Sequence, residues 1–221
     1  MKHFTLFLRE QFFIPLFLLT IFCAFLYGVR DYFSPRDFYL FLNWNLFLAG
    51  IPYGFSTLVV FLRKHKVRWI FLLPLLGGWF FFFPNAPYIV TDFLHLKHRP
   101  PVFFWFDIAL LTSFAFTGLF FGFISLAQFH QAIEEKKGKI LGWLFASSMW
   151  GLSSLGIYLG RFLRWNSWDF LTHPFRIIQD TWMRISHPND YPGMFIFCFV
   201  YSALLLVFYK MFWELFSKGR K

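Results

Sequence analysis

The stretch Val102-Phe-Phe-Trp-Phe-Asp-Ile-Ala-Leu-Leu-Thr-Ser-Phe-Ala-Phe-Thr-Gly-Leu-Phe-Phe-Gly-Phe-Ile-Ser-Leu-Ala-Gln-Phe129 holds one ionisable residue, Asp107, in 28 positions. An apolar run longer than ~18 residues is read as a crossing of a lipid bilayer, whose hydrocarbon core is ~30 Å thick. Five further runs surround it, so the spans are expected at Phe12 to Val29, Phe38 to Leu62, Trp69 to Val90, Val102 to Phe129, Ile140 to Leu163 and Met194 to Phe216. Composition agrees: 58% of the 221 residues are hydrophobic, 38 are phenylalanine and only 14% are charged, where soluble domains carry about a quarter. The predicted fold is all-α, a polytopic membrane helical bundle of about six transmembrane helices, making residues 1–221 a single integral membrane domain. A separate aqueous domain, which needs at least ~50 residues, has no room between the runs.

The two cysteines, Cys23 and Cys198, sit inside apolar runs, which leaves no disulfide framework and no thiolate cluster for zinc or iron–sulfur chemistry. No cofactor and no metal site is expected. The net charge of +10 lies in short loops between spans, so it points to orientation against an anionic leaflet rather than to nucleic acid. With six spans both termini share a side. That side carries 13 Lys and Arg residues against 8 on the other, which predicts cytoplasmic N- and C-termini by the positive-inside rule. The first span has no small-residue cleavage site after it and is expected to remain as an anchor. Glycine pairs at Gly50/Gly54, Gly118/Gly122 and Gly156/Gly160 predict close helix contacts in spans two, four and five.

On this topology the unusual polar residues collect at the outer face: Asn43, Trp44 and Asn45 begin span two, Pro84 to Asp92 end span three, Asp107 begins span four and Arg161 to Asp169 end span five. Unpaired amides and charges cost several kcal/mol in hydrocarbon, so these groups are expected to face one another or a water-filled cleft. Trp69 to Phe83 is 15 residues, about 22 Å of helix at 1.5 Å per residue. The third span must therefore continue through Pro84 and Pro87, and each proline removes a donor and strains the turn before it. A kink or unwinding near Asn85 is expected, in a place where irregular backbone has to meet protein or water.

Two constellations carry the candidate chemistry. Downstream of the prolines, Asp92, His95 and Arg99 follow at steps of three and four, one polar stripe on a helix, in which Asp92 and His95 form a possible acid/base pair. At the end of span five, Arg161 and Arg164 could fork around a phosphate or carboxylate, beside Trp165, Asn166, Trp168 and Asp169. The ligand-binding candidates are thus Asn43, Asn45, Asn85, Tyr88, Arg161, Arg164, Trp165, Asn166 and Trp168, and the proton-transfer candidates are Asp92, His95 and Asp169. Between Pro174 and Ile185, Phe175, Ile178, Trp182 and Ile185 line one helical face and Arg176, Gln179, Asp180 and Arg184 the other, with Asp180 and Arg184 spaced to pair. A short amphipathic helix on the outer surface is expected there.

Pro84-Asn85-Ala86-Pro87-Tyr88-Ile89-Val90-Thr91-Asp92 with His95-Leu96, and Leu159-Gly160-Arg161-Phe162 through Trp165-Asn166-Ser167-Trp168-Asp169, resemble the hallmark segments of a bacterial membrane-protein family catalogued as domain of unknown function 1361. The resemblance implies an integral membrane protein and brings no assigned activity, cofactor or partner. The expectation is a protein of the bacterial cytoplasmic membrane with an outward-facing polar pocket for an anionic or lipid-linked molecule. The competing expectations are a non-catalytic subunit that docks another membrane protein and, third, a transporter.

Overall fold

The computed structural model describes residues 11–33, 39–98, 104–165 and 168–218. Among them the protein is all-α. Helix α1 spans Phe13–Phe33 and α2 spans Leu40–Lys64; a 3-10 turn, Trp69–Leu72, leads into α3, Leu73–Phe82. One further turn, α4, covers Asn85–Tyr88 and passes into a 3-10 helix, Ile89–His98. Then come α5 (Phe104–Lys137), α6 (Lys139–Phe162), α7 (Asp169–Thr172), α8 (Pro174–Ser186) and α9 (Pro192–Lys218). Six segments are long and apolar enough to cross a membrane, the third formed by Trp69–Leu96 as a whole. The first and last of them bury little of their surface, with Phe25 and Phe22 of α1 and Phe199, Val207 and Met211 of α9 exposed, whereas α5 is largely buried. Such continuous apolar faces are rare on soluble monomers and, on helices of membrane-spanning length, mark contact with lipid.

The chain divides into two compact units, residues 1–128 and 129–221, with the boundary inside α5. In the first unit α5 runs antiparallel to α1, and polar pairs fix the register at three depths. At one end Arg30 Nε lies 2.5 Å from Asp107 Oδ1 and Nη2 lies 3.4 Å from Oδ2, both side chains buried. Midway the Cys23 thiol and the Thr117 hydroxyl are 3.3 Å apart. At the other end Gln128 Nε2 donates to Gln11 Oε1 at 2.7 Å and to Thr57 of α2 at 3.1 Å. Between these pairs the core is formed by Leu42, Leu46, Ala49, Ile89, Leu110 and Phe114 among others. Ser125 ties three elements together, accepting from Trp79 Nε1 at 2.6 Å and donating to the carbonyl of Pro52 at 3.2 Å.

The second unit is organised by α6 and α9 around a fully buried histidine. His130 Nδ1 is 2.9 Å from the Tyr209 hydroxyl, and its ring stacks on Trp213 with centroids 3.9 Å apart. Trp143 meets the ring edge-on at 5.0 Å, and Glu134 Oε2 lies 3.5 Å from Nε2. One residue, Gly138, separates α5 from α6, and its φ of +89° is a conformation that costs an L side chain but not glycine.

The glycine pairs divide on inspection. A Cβ at Gly118 would stand 2.8 Å from the carbonyl oxygen of Ala86, so the proline-containing turn packs backbone to backbone on α5 as the spacing suggested. Gly54, by contrast, faces open space, so the Gly50/Gly54 pair is not a close helix contact. The tight glycine that the spacing did not point out is Gly142, where a Cβ would lie 2.8 Å from His130 Cδ2.

Candidate functional site

The third span breaks where the prolines require it, but it does not unwind. Pro84 and Ile89 keep right-handed helical angles, and what changes is the hydrogen-bond ladder, which tightens after Tyr88 into ten residues of 3-10 helix. Runs of that geometry beyond three or four residues are uncommon. Asn85 Nδ2 donates to the carbonyl of Phe82 at 2.9 Å and Thr91 Oγ1 to that of Tyr88 at 2.7 Å. Both are side-chain bonds to the carbonyl three residues back, one at the break and one where the 3-10 ladder begins.

The tightened ladder brings the first constellation together. With three residues per turn, positions i and i+3 eclipse, so Asp92 and His95 fall on one edge. Asp92 is fully buried; its Oδ2 accepts from Asn45 Nδ2 at 2.9 Å, and its Oδ1 is 4.0 Å from His95 Nε2. That separation is too long for a direct hydrogen bond; the carboxylate and the imidazole face each other across the gap. His95 itself is 44% exposed and lies against Phe41, ring centroids 4.6 Å apart. A buried carboxylate therefore stands behind a partly exposed imidazole, an arrangement suited to orienting and charging a group that exchanges protons with the outside. Arg99, the third member of the expected stripe, lies outside the described residues.

Asn45 and Asn43 part company, because two residues on a helix are turned about 200° from each other. Asn45 holds Asp92, whereas Asn43 lines a groove between α1 and α2. Tyr88 and Asn85 are half-buried beside the break.

In the second unit Arg161 closes the last turn of α6 and is half-buried. Beyond it Arg164 is exposed, adopts a left-handed φ of +62° and makes no ion pair or hydrogen bond among the described residues. This backbone reversal lets the Trp165 N–H reach the carbonyl of Leu159 at 3.1 Å, the same oxygen that accepts from Leu163 at 3.2 Å. The Trp165 indole N–H donates to Asp180 Oδ2 at 3.1 Å, which docks α8 on the end of the motif. Trp168 is exposed and Asp169 begins α7 half-buried, while Asn166 lies outside the described residues.

Helix α8 corrects one pairing. Arg184 does not bridge to the Asp180 carboxylate, which the indole occupies; it donates to the Asp180 carbonyl at 2.9 Å and lies over the Tyr191 ring at 5.0 Å. Its inward side is Ile177, Asp180, Thr181 and Arg184, and the apolar face of Phe175, Ile178, Trp182 and Ile185 points away from the protein. That is the polarity of a helix lying at a lipid surface.

Left-handed backbone at a non-glycine residue costs about 1–2 kcal/mol, and persists where the surrounding structure holds it, here the two bonds onto the Leu159 carbonyl. Arg164→Gly is therefore expected to leave the melting temperature of the detergent-purified protein unchanged or raised, while removing whatever its guanidinium binds. A large loss of thermal stability would show that the side chain serves the fold.

Sequence spacing did not single out the Arg30–Asp107 bridge or the His130 cluster. Each had a signal, a lone acid inside the longest apolar run and a lone histidine at its end.

A family model described as protein of unknown function, DUF1361, matches residues 44–208 and so takes in both constellations. The chain belongs to this family. No curated protein and no solved structure shows significant similarity to it.

Proposed function

We propose that this DUF1361 protein is a multi-pass protein of the bacterial cytoplasmic membrane, with cytoplasmic termini, whose outward-facing polar groups bind or process an anionic or lipid-linked molecule. The observation that carries the reading is the fully buried Asp92 carboxylate, held by Asn45 and backed against a partly exposed His95. A buried charge at the end of a membrane span is costly, and a packing role would be met by a neutral residue; a carboxylate earns its place by charging or orienting the histidine in front of it. In this reading His95 moves the proton and Asp92 orients and charges it; within the second unit, and independently, the exposed guanidinium of Arg164 attracts phosphate or carboxylate.

The test has two arms. A cysteine at Ser186 should react with a membrane-impermeant thiol reagent in intact cells and one at Gly138 should not; the reverse pattern sinks the orientation. In a strain lacking the gene, His95→Gln, Asp92→Asn and Arg164→Gly should each fail to restore the lipid and cell-envelope profile while accumulating in the membrane at normal levels. Full restoration by all three would rule out this function and leave a subunit that docks another membrane protein.

A further inference from the structure

A groove of about 470 Å³ runs between α1 and α2, walled by Leu16 and Phe17 of α1 and by Leu46 and Phe47 of α2, with Gly50 opening its floor onto Phe121. It extends from Asn43 to Tyr53 along α2, about 15 Å at 1.5 Å per residue. That is half of a ~30 Å hydrocarbon core, the depth of one leaflet. Both walls are helices of membrane-spanning length and composition, so the medium beside the groove is hydrocarbon.

The polar groups on its lining are unequal. The Thr20 hydroxyl donates to the carbonyl of Leu16 at 2.9 Å and the Tyr53 hydroxyl to that of Gln11 at 3.0 Å. Asn43, at the end nearest the start of α2 and beside the exposed Trp44, is half-buried and has no hydrogen-bond partner among the described residues. An amide that carries two donors and an acceptor toward an apolar groove is costly if left alone. The groove thus has an apolar length and one unsatisfied polar end, the complement of an amphiphile's tail and head linkage.

We propose that this groove holds one hydrocarbon chain of a membrane lipid, with Asn43 hydrogen-bonding the polar linkage at the head end. The inference goes beyond the functional reading above and is independent of it. The tail lies against α1 and α2, on the side of α2 opposite Asn45 and its Asp92 partner.

The experiment uses the full-length protein in phosphatidylcholine nanodiscs containing a phosphatidylglycerol with a diazirine in mid-chain. Photolabel should concentrate on the α1 and α2 peptides relative to the lipid-exposed α9, and it should saturate. Competition by unlabelled phosphatidylglycerol and by a polyprenyl phosphate, run separately, tells an acyl from an isoprenoid occupant. Gly50→Leu, whose side chain would fill the floor beside Phe121, should lower groove labelling about tenfold, since a packed side chain excludes other atoms from its volume. Ala24→Leu, from the exposed opposite wall, should do the same without disturbing the fold, whereas Gly28→Leu, at a position with open space around it, should have no effect. Labelling that is unsaturable, equal on α9 and indifferent to Gly50→Leu and Ala24→Leu would mean annular lipid only and overturn the proposal. That failure is separate from failure of the polar site, which is read by complementation with the His95, Asp92 and Arg164 variants.

Discussion

Asp107→Ala is expected to destabilise the protein by about 3–5 kcal/mol, because removing one member of a buried ion pair strands the other charge in a dry site. Arg30 reaches Asp107 through two nitrogens, with side-chain exposures of 7% and 0%. The bridge joins the end of α1 to the start of α5, so its loss frees the end of a helix that otherwise buries little surface. The same reasoning predicts what restores stability. Replacing both partners with apolar residues of similar size, Arg30→Met with Asp107→Leu, removes the desolvation cost along with the attraction, and such replacements are often neutral or stabilising. Thermal melting in detergent should therefore show both single variants strongly depressed and the double variant near the parent. Single variants that melt normally would show the pair to be solvated, since an exposed pair contributes only ~0–1 kcal/mol.

The second large effect is at His130. Its ring is fully buried, stacked on Trp213, met edge-on by Trp143 and hydrogen-bonded to Tyr209. Truncating a buried ring to a methyl group costs about 3–5 kcal/mol for Phe or Trp, and His130→Ala should fall toward that range. Gly142→Ala tests the same packing from the other side. A new Cβ would stand 2.8 Å from His130 Cδ2 and 2.9 Å from Nε2, and the ring cannot retreat from between two tryptophans. Overpacking of this kind costs about 1–3 kcal/mol. In the His130→Ala background the two closest contacts are gone and only the Glu134 Cβ at 3.2 Å remains, so most of the penalty should be lost, a coupling above the ~0.5 kcal/mol within which independent sites add. Additive effects would show that the ring and Gly142 do not share this space.

Much of this was legible before any coordinates. Runs of apolar residues longer than a bilayer crossing have no soluble alternative, and the six spans follow from that. The amphipathic stretch at 174–185 was visible in its 3.6-residue period and forms α8, Pro174–Ser186. The break after Phe82 was visible in Pro84 and Pro87, but its form was not. Proline forbids certain bonds without saying which new ladder replaces them; here a 3-10 helix follows, beside the close approach of the Ala86 carbonyl to Gly118.

The candidate site was legible as a set of residue types and in the i, i+3 spacing of Asp92 and His95; its pairings between helices were not. Asn43 and Asn45 read alike as amides near the start of one span, yet the helical turn sends one to the groove and the other to Asp92. Asp180 and Arg184 had the spacing of a salt bridge, but a tryptophan fifteen residues upstream takes the carboxylate. Local spacing governs contacts within one helix; it is silent on what a neighbouring helix offers.

The sequence by itself therefore determined the class, the spans and the residues that are expensive to bury, because hydrophobic length and charge cost are properties of the chain alone. Tertiary structure decided that Arg30 meets Asp107, that His130 stacks on Trp213, and that Asn45 holds Asp92. Those partners come from different helices, brought together only when the helices choose neighbours, and in lipid that choice rests on close packing and on satisfying each buried polar group.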